Sequence, residues 1–199
     1  MIGPRYNLVE NNKKKKIFSK VKNIMLTFGG EDPRNSSLFF LRSLKEILQQ
    51  YHITVVVGPI NKHKKNIKNF LLTNKFSYKL IVNPDNIFKF FLKSDLAISG
   101  GGVTCYELLK LGIPTIGGPL NKGQSKILNC LKKFRCINII NFNKDKKVIN
   151  KNNKIVKEIT KRFVIRKRMS ENSKKVFKYD GLKFLTKNIL QSFKEYDYK

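Results

Sequence analysis

LAISGGGVTCYELLKLGIPTIGGPLNKGQ, residues 96–124, is the stretch from which the rest of the chain is read. Leu96-Ala97-Ile98 is a short apolar run suited to a buried strand. Gly100-Gly101-Gly102 follow, and then Val103, Tyr106, Leu109 and Leu111 mark a helical stripe that Gly112 and Pro114 close. Strand, glycine turn and helix N-terminus form a geometry suited to phosphate. Glycines carry no Cβ, so a phosphate can approach the backbone closely. The free N–H groups of the first helical turn then face it at the positive end of the helix dipole. A glycine turn alone also fits a tight connection that binds nothing. Its surroundings decide between the two.

Toward the N-terminus, Ile24–Phe28 is a short buried strand that runs into Gly29-Gly30-Glu31-Asp32-Pro33. Asp32 is expected as an N-cap with Pro33 at the first helical position, and Leu38, Leu41, Leu44 and Leu48 carry a helical stripe to Gln50. Ile53–Val57 is β-branched throughout, as in a strand covered on both faces, and Gly58-Pro59 ends it. A helix from Asn61 to Thr73 follows, then a strand over Tyr78–Val82. Asn83-Pro84-Asp85 is expected to cap a helix carrying Ile87, Phe88, Phe91 and Leu92 on one face. Toward the C-terminus, Pro114–Ile116 reads as a strand, Gly117-Gly118-Pro119 as a third glycine turn, Lys122–Lys133 as a helix and Ile137–Ile140 as the last strand. From Lys151 onward the pattern is helical. Ile155, Ile159 and Phe163 mark one helix, and Met169, Val176 and Phe177 a second. After a break at Asp180-Gly181, Leu182, Leu185, Ile189 and Phe193 mark a third.

The expected fold is therefore α/β. It is a Rossmann-like open parallel sheet of about six strands, with helices on both faces and C-terminal helices. Residues 1–22 form a leading segment outside the core, and 23–199 one domain. In such sheets ligands sit beyond the carboxyl ends of the strands, where the strand order reverses. Each glycine turn follows a strand, so all should lie on that edge and point amides at a nucleotide or phosphate.

The 199 residues suffice for one full domain with a core. Lys and Arg number 42 against 13 Asp and Glu, a formal net charge of +29. Such a charge attracts nucleic acid, anionic membranes and anionic metabolites alike. The lysines lack the interleaved aromatics of a nucleic-acid surface, which disfavours nucleic acid as a partner. No apolar run approaches the ~20 residues of a membrane span. The first residues lack the apolar block of a signal peptide, so a cytoplasmic location is expected. Cys105, Cys130 and Cys136 form no CxxC pair and lie far in sequence from His52 and His63. Neither disulfide, metal nor other cofactor is expected.

These stretches resemble the C-terminal domain of GT-B enzymes related to glycosyltransferase family 28. The resemblance is strongest to the UDP-sugar hydrolases of pseudaminic acid biosynthesis and the spore-coat polysaccharide biosynthesis proteins. MLTFGGEDPRN (25–35) resembles the family's first strand and loop. SGGGVTCYELLKLGIPTI (99–116), with Gln124 beyond it, resembles its nucleotide-binding signature. Arg168-Met169-Ser170 with Asp180-Gly181 resembles its closing helices, and GPRYNLV (3–9) its approach to this domain.

The resemblance implies binding of the UDP half of a UDP-sugar. Gly100, Gly101 and Gly102 with Val103 and Thr104 would cradle the diphosphate, and Glu107 would accept from the ribose hydroxyls. Ile81, Val82 and Asn83 would border the uracil, Gln124 would reach the sugar or diphosphate, and Gly29, Gly30 and Asn35 would line the facing loop. GT-B enzymes work in a cleft between two Rossmann-like domains, and the hydrolase's proposed catalytic histidine belongs to the first. No residue here matches it. His52 is expected at the edge opposite the ligand, and His63 fits no motif.

The implied function is a UDP-sugar-binding domain of a nucleotide-sugar hydrolase-like enzyme in surface polysaccharide or nonulosonic acid biosynthesis. A separate N-terminal GT-B-type subunit, or further chain, would complete it. The alternatives are family 28 type glycosyl transfer, with basic C-terminal helices in peripheral contact with an anionic membrane, and a non-catalytic nucleotide-binding module. Gly101→Val is expected to block the site while sparing the fold.

Overall fold

A computed structural model describes residues 15–179 and 181–196. The GPRYNLV stretch, Asp180 and the side chains of Leu182 and Phe193 lie outside the described residues. The strands are β1 (Asn23–Thr27), β2 (His52–Val57), β3 (Tyr78–Val82), β4 (Leu96–Ser99), β5 (Thr115–Gly117) and β6 (Ile137–Ile139). They form one sheet in the order β3-β2-β1-β4-β5-β6, every neighbour parallel. The order reverses between β1 and β4, where Leu26 pairs with Ile98 and Thr27 with Ser99. This is the α/β Rossmann-like sheet that the alternating pattern implies.

The helices are α1 (Ser36–Ser43), α2 (Lys45–Leu48), α3 (Lys64–Thr73), α4 (Phe88–Lys93), α5 (Val103–Lys110), α6 (Lys122–Lys133), α7 (Lys146–Lys161), α8 (Phe163–Val176) and α9 (Gly181–Tyr196). Successive strand residues point to opposite faces. Ile24, Leu26, Val55 and Ile98 pack with Leu41 of α1, Leu48 of α2, Ile67 of α3 and Val156 of α7. Met25, Val56 and Ala97 pack on the other face with Phe91 of α4 and Leu108 of α5. Leu109, Leu128, Ile137 and Phe177 then join α5, α6, β6 and the end of α8.

Several helix boundaries differ from those expected. The helix after β1 begins at Ser36 rather than Pro33, and breaks at Leu44 (φ −111°, ψ 13°). The helix after β3 begins at Phe88, whose N–H is taken by the Asn86 side chain. Asp145 caps α7 by accepting from the amides of Lys147 and Val148, so that helix starts five residues before Lys151. Phe163 opens α8 instead of continuing α7, because Arg162 leaves the helical region.

The leading segment is also more than a solvated run. Val21 is buried in the core. Arg166, with no exposed surface, donates to the carbonyls of Phe18 and Ser19 as well as Ile159 and Thr160. Among the described residues no helix is long and apolar enough to cross a membrane.

Candidate functional site

The chain leaves β1 and β4 in opposite directions along the sheet, so a crevice forms beyond their carboxyl ends. Gly29 and Gly30 follow β1 and are exposed there. Gly29 has φ +88°, a left-handed conformation that side chains disfavour. The end of β2 passes so close that a Cβ on Gly58 would lie 2.4 Å from the Gly30 backbone, which holds this turn from below.

The turn after β4 is fastened at its base. The Gly100 N–H donates to the Thr27 carbonyl at 3.3 Å, joining the two central strands. The Gly101 N–H donates to Gln124 Oε1 at 2.9 Å, and the Leu120 N–H donates to the same oxygen at 3.0 Å. One side-chain carbonyl thus bridges the β4–α5 and β5–α6 turns. Asn121 holds that bridge in place, its side chain accepting from the Gln124 N–H at 2.8 Å.

Past this fastening, the amides of Gly102, Val103 and Thr104 have no partner among the described residues. They open the eight-residue helix α5, whose N-cap Gly102 has no side chain to cover them. A Cβ at Gly102 would meet nothing within 4 Å, so the space before these amides is clear. Anions are favoured at such an end by both the open donors and the helix dipole.

Glu107 stands one turn further along α5 and is half-buried. Burial raises its carboxyl above the ordinary carboxylate range. Its carboxylate has no hydrogen bond or ion pair among the described residues, although the chain carries a net +29. An unpartnered, partly desolvated acceptor beside open amides suits a ligand with hydroxyls next to an anionic group.

Other expected site features fall differently. The third turn is a packing feature. The Gly118 N–H donates to Ser99 and the Gly117 carbonyl accepts from Ile140. A Cβ at Gly117 would come within 2.8 Å of Leu128, and one at Gly118 within 3.1 Å of Phe28 and Phe40. The open amides expected at the head of α1 are filled from within, since the buried Asp32 carboxylate accepts from Ser36 at 2.7 Å and Ser37 at 2.8 Å. Asn35, at φ 52°, borders a separate hollow with Arg34 and Phe39. Val82 is 44% exposed at the end of edge strand β3. Three strand spacings, ~14 Å, separate β3 from β4.

Gly101→Val is not the clean probe expected, because a Cβ there would lie 2.9 Å from Gln124 Cβ and 3.0 Å from Leu128 Cγ. Gly102 is the clean position. Gln124, which the sequence offers either to a ligand or as an amide that caps a loop, does the latter through its Oε1. Its signal is Asn121-Lys122-Gly123-Gln124, a polar N-cap followed at the third position by Gln, the spacing of a capping box.

His52 opens β2 at the opposite edge, its Nδ1 2.9 Å from Ser77 Oγ. His63 precedes α3, its N–H donating to Asn61. The buried Cys105 and Cys136 thiols are pushed up to about 12 and about 11 by burial and stay protonated. Among the described residues no group of three His, Cys, Asp or Glu could hold a metal ion.

No family model matches the chain. It is 33% identical over 124 residues to the uncharacterized protein MJ1062 of Methanocaldococcus jannaschii, spanning 57% of this chain and 26% of that protein. It is 24% identical over 97 residues to the spore coat polysaccharide biosynthesis protein SpsG of Bacillus subtilis, spanning 48% of this chain and 28% of that one. The chain thus covers little more than a quarter of these relatives' length.

Among solved structures, MurG of Acinetobacter baumannii superposes with a TM-score of 0.66 at 13% identity, over 94% of this chain and 53% of that one. HepE of Anabaena, in complex with UDP, superposes with a TM-score of 0.60 at 12% identity, over 88% and 49%. At these identities the likeness is one of fold, that of GT-B glycosyltransferase domains.

Proposed function

We propose that this chain is the UDP-sugar-binding domain of a GT-B-type enzyme of polysaccharide biosynthesis. One observation carries the reading. At the β1/β4 switch point, the open amides of Gly102, Val103 and Thr104 stand one helical turn from the unpartnered carboxylate of Glu107. The diphosphate would sit on those amides, with Gly29 and Gly30 facing it across the crevice. Glu107 would accept from the ribose hydroxyls, and the free Nε2 end of Gln124 would face the sugar side. Ile81, Val82 and Asn83 would border the base. Support also comes from SpsG, named for spore coat polysaccharide biosynthesis, and from HepE, solved with UDP.

Bond cleavage leaves negative charge on the departing UDP, and fixed amide donors stabilise it where it develops. The chain supplies this electrostatic half of the chemistry. Asp32 is committed to capping α1 and His52 lies at the far edge, so neither serves as a base. A separate N-terminal GT-B-type domain would supply the proton transfer. The resemblance to the hydrolases, carried by all the matched stretches together, supports water as the sugar's acceptor, a nucleotide-sugar hydrolysis; transfer to a hydroxyl acceptor uses the same donor site and fits the same geometry.

Calorimetric titration with UDP tests the site. The parent chain should bind, Gly102→Val should abolish binding with the fold intact by circular dichroism, and the chain alone should not turn over a UDP-sugar. Absence of UDP binding by the parent chain, or undiminished binding by Gly102→Val, overturns the assignment. Turnover by the isolated chain overturns the need for a partner.

A further inference from the structure

A closed circuit of hydrogen bonds joins three of the turns at the β1/β4 crevice. The Gly100 N–H ties the β4–α5 turn to the Thr27 carbonyl at the end of β1. Gln124 Oε1 ties the Gly101 N–H to the Leu120 N–H. Arg34 closes the circuit from the turn that follows β1, its Nη1 donating to the Leu120 carbonyl at 2.9 Å. The turns after β1, β4 and β5 are thus linked head to tail, and the side chains that link them are Gln124 and Arg34.

Arg34 is exposed, yet it is held on both sides. The turn that carries it is locked. The Asn35 N–H donates to the Asp32 carbonyl at 2.9 Å, and the buried Asp32 carboxylate accepts from Ser36 and Ser37. The guanidinium lies 4.6 Å from the centroid of the Phe142 ring, and that ring rests on Phe39 of α1 with centroids 4.3 Å apart. A planar cation fixed between an aromatic face and a carbonyl keeps its geometry better than a free surface charge does. Leu120 carries the constraint onward. A Cβ on Gly100 would lie 3.7 Å from Leu120 Cδ1, so the Leu120 side chain rests on the β4–α5 turn. Its N–H shares an acceptor with Gly101, the residue before the open amides.

We infer that Arg34 is a positioning residue of the crevice. It acts on a ligand only through Leu120 and Gln124, which set the Gly100–Gly102 turn. The amides of Gly102, Val103 and Thr104 then meet a diphosphate without rearranging. Donors fixed in advance bind more tightly than donors that must first be ordered. The consequence for UDP rests on the UDP-sugar reading of the crevice; the mechanical link between Arg34 and Gly101 does not.

The link is read first in the empty protein, by amide hydrogen exchange followed by NMR. In Arg34→Gln the Gly101 and Leu120 amides should exchange about three- to tenfold faster than in the parent, the scale of one lost hydrogen bond. The amides of β2 and β3 should keep the parent's rates. Unchanged rates at Gly101 and Leu120 overturn the link. So does an equal acceleration in β2 and β3, which reports general destabilisation.

Titration with UDP then separates position from charge through a double-variant cycle. Arg34→Gln should weaken UDP about fivefold in the parent background. In Gln124→Ala, where the circuit is already cut, it should weaken UDP less than about twofold. Arg42→Gln removes the same charge from α1, where the guanidinium lies over Phe70 outside the circuit, and should change affinity less than about twofold. A loss from Arg34→Gln that is as large in Gln124→Ala as in the parent, or that Arg42→Gln matches, makes Arg34 a surface charge and overturns the inference. If the parent binds no UDP, the UDP-sugar reading falls and the exchange rates alone decide the link.

Discussion

At Glu107, burial and charge pull in opposite directions. The folded chain holds that proton more tightly than the unfolded chain does. This group therefore favours the fold at acid pH, and the contribution is lost as pH rises through its raised folded value. At neutral pH the ionised carboxylate destabilises the empty protein. Glu107→Gln should consequently melt at a higher temperature than the parent, read by scanning calorimetry at pH 7. The same variant should bind UDP about tenfold or more weaker, since an acceptor for two hydroxyls becomes a neutral amide. For the parent, UDP affinity should fall as pH drops through the raised value of Glu107. A stabilised variant with weakened ligand binding is the signature of a functional residue kept at the expense of stability. The place of Glu107 one turn into α5 was legible from its spacing after the glycines, whereas its role rests on the resemblance. The separate hollow beside Asn35 was not, because it forms only where Phe142 and Ile149 come to lie against α1.

The strands were legible as elements because each is a short apolar run closed by glycine, proline or asparagine. The helix breaks were not. Leu44 and Arg162 interrupt helices without glycine or proline, so tertiary packing decides them. Asp145 was a readable cap that the apolar stripe beginning at Ile155 overshadowed. The turns make separable predictions. Gln124→Ala strips the shared acceptor from Gly101 and Leu120, and should lower stability by about 1–3 kcal/mol in urea titration. Gln124→Glu, which keeps an acceptor there, should recover most of it. Asp32→Ala uncaps two amides of α1 and should lower stability by about 1–2 kcal/mol. Gly101→Val should unfold more readily than Gly102→Val, because only the former drives a side chain into Gln124 and Leu128.

For the molecule as a whole, strand–helix alternation was enough to give the parallel sheet and the edge where the candidate site lies. It could not give the role of the leading segment, because the residue that grips it lies far along the chain. Arg166 joins Phe18 and Ser19 to the end of α7 across 148 positions. Arg166→Met leaves four carbonyls without their donor and should lower stability by about 3 kcal/mol or more. Limited proteolysis should then cut within residues 15–22 before it cuts elsewhere.

The side-chain oxygen that ties two turns together also has a kinetic corollary. A receptor shaped before its guest arrives has no slow rearrangement to wait for. Capture of a multiply charged anion by a chain of charge +29 should then proceed in a single fast phase. Its rate constant should fall steeply with ionic strength. Loosening the tie by Gln124→Ala should add a second, concentration-independent phase in stopped-flow traces.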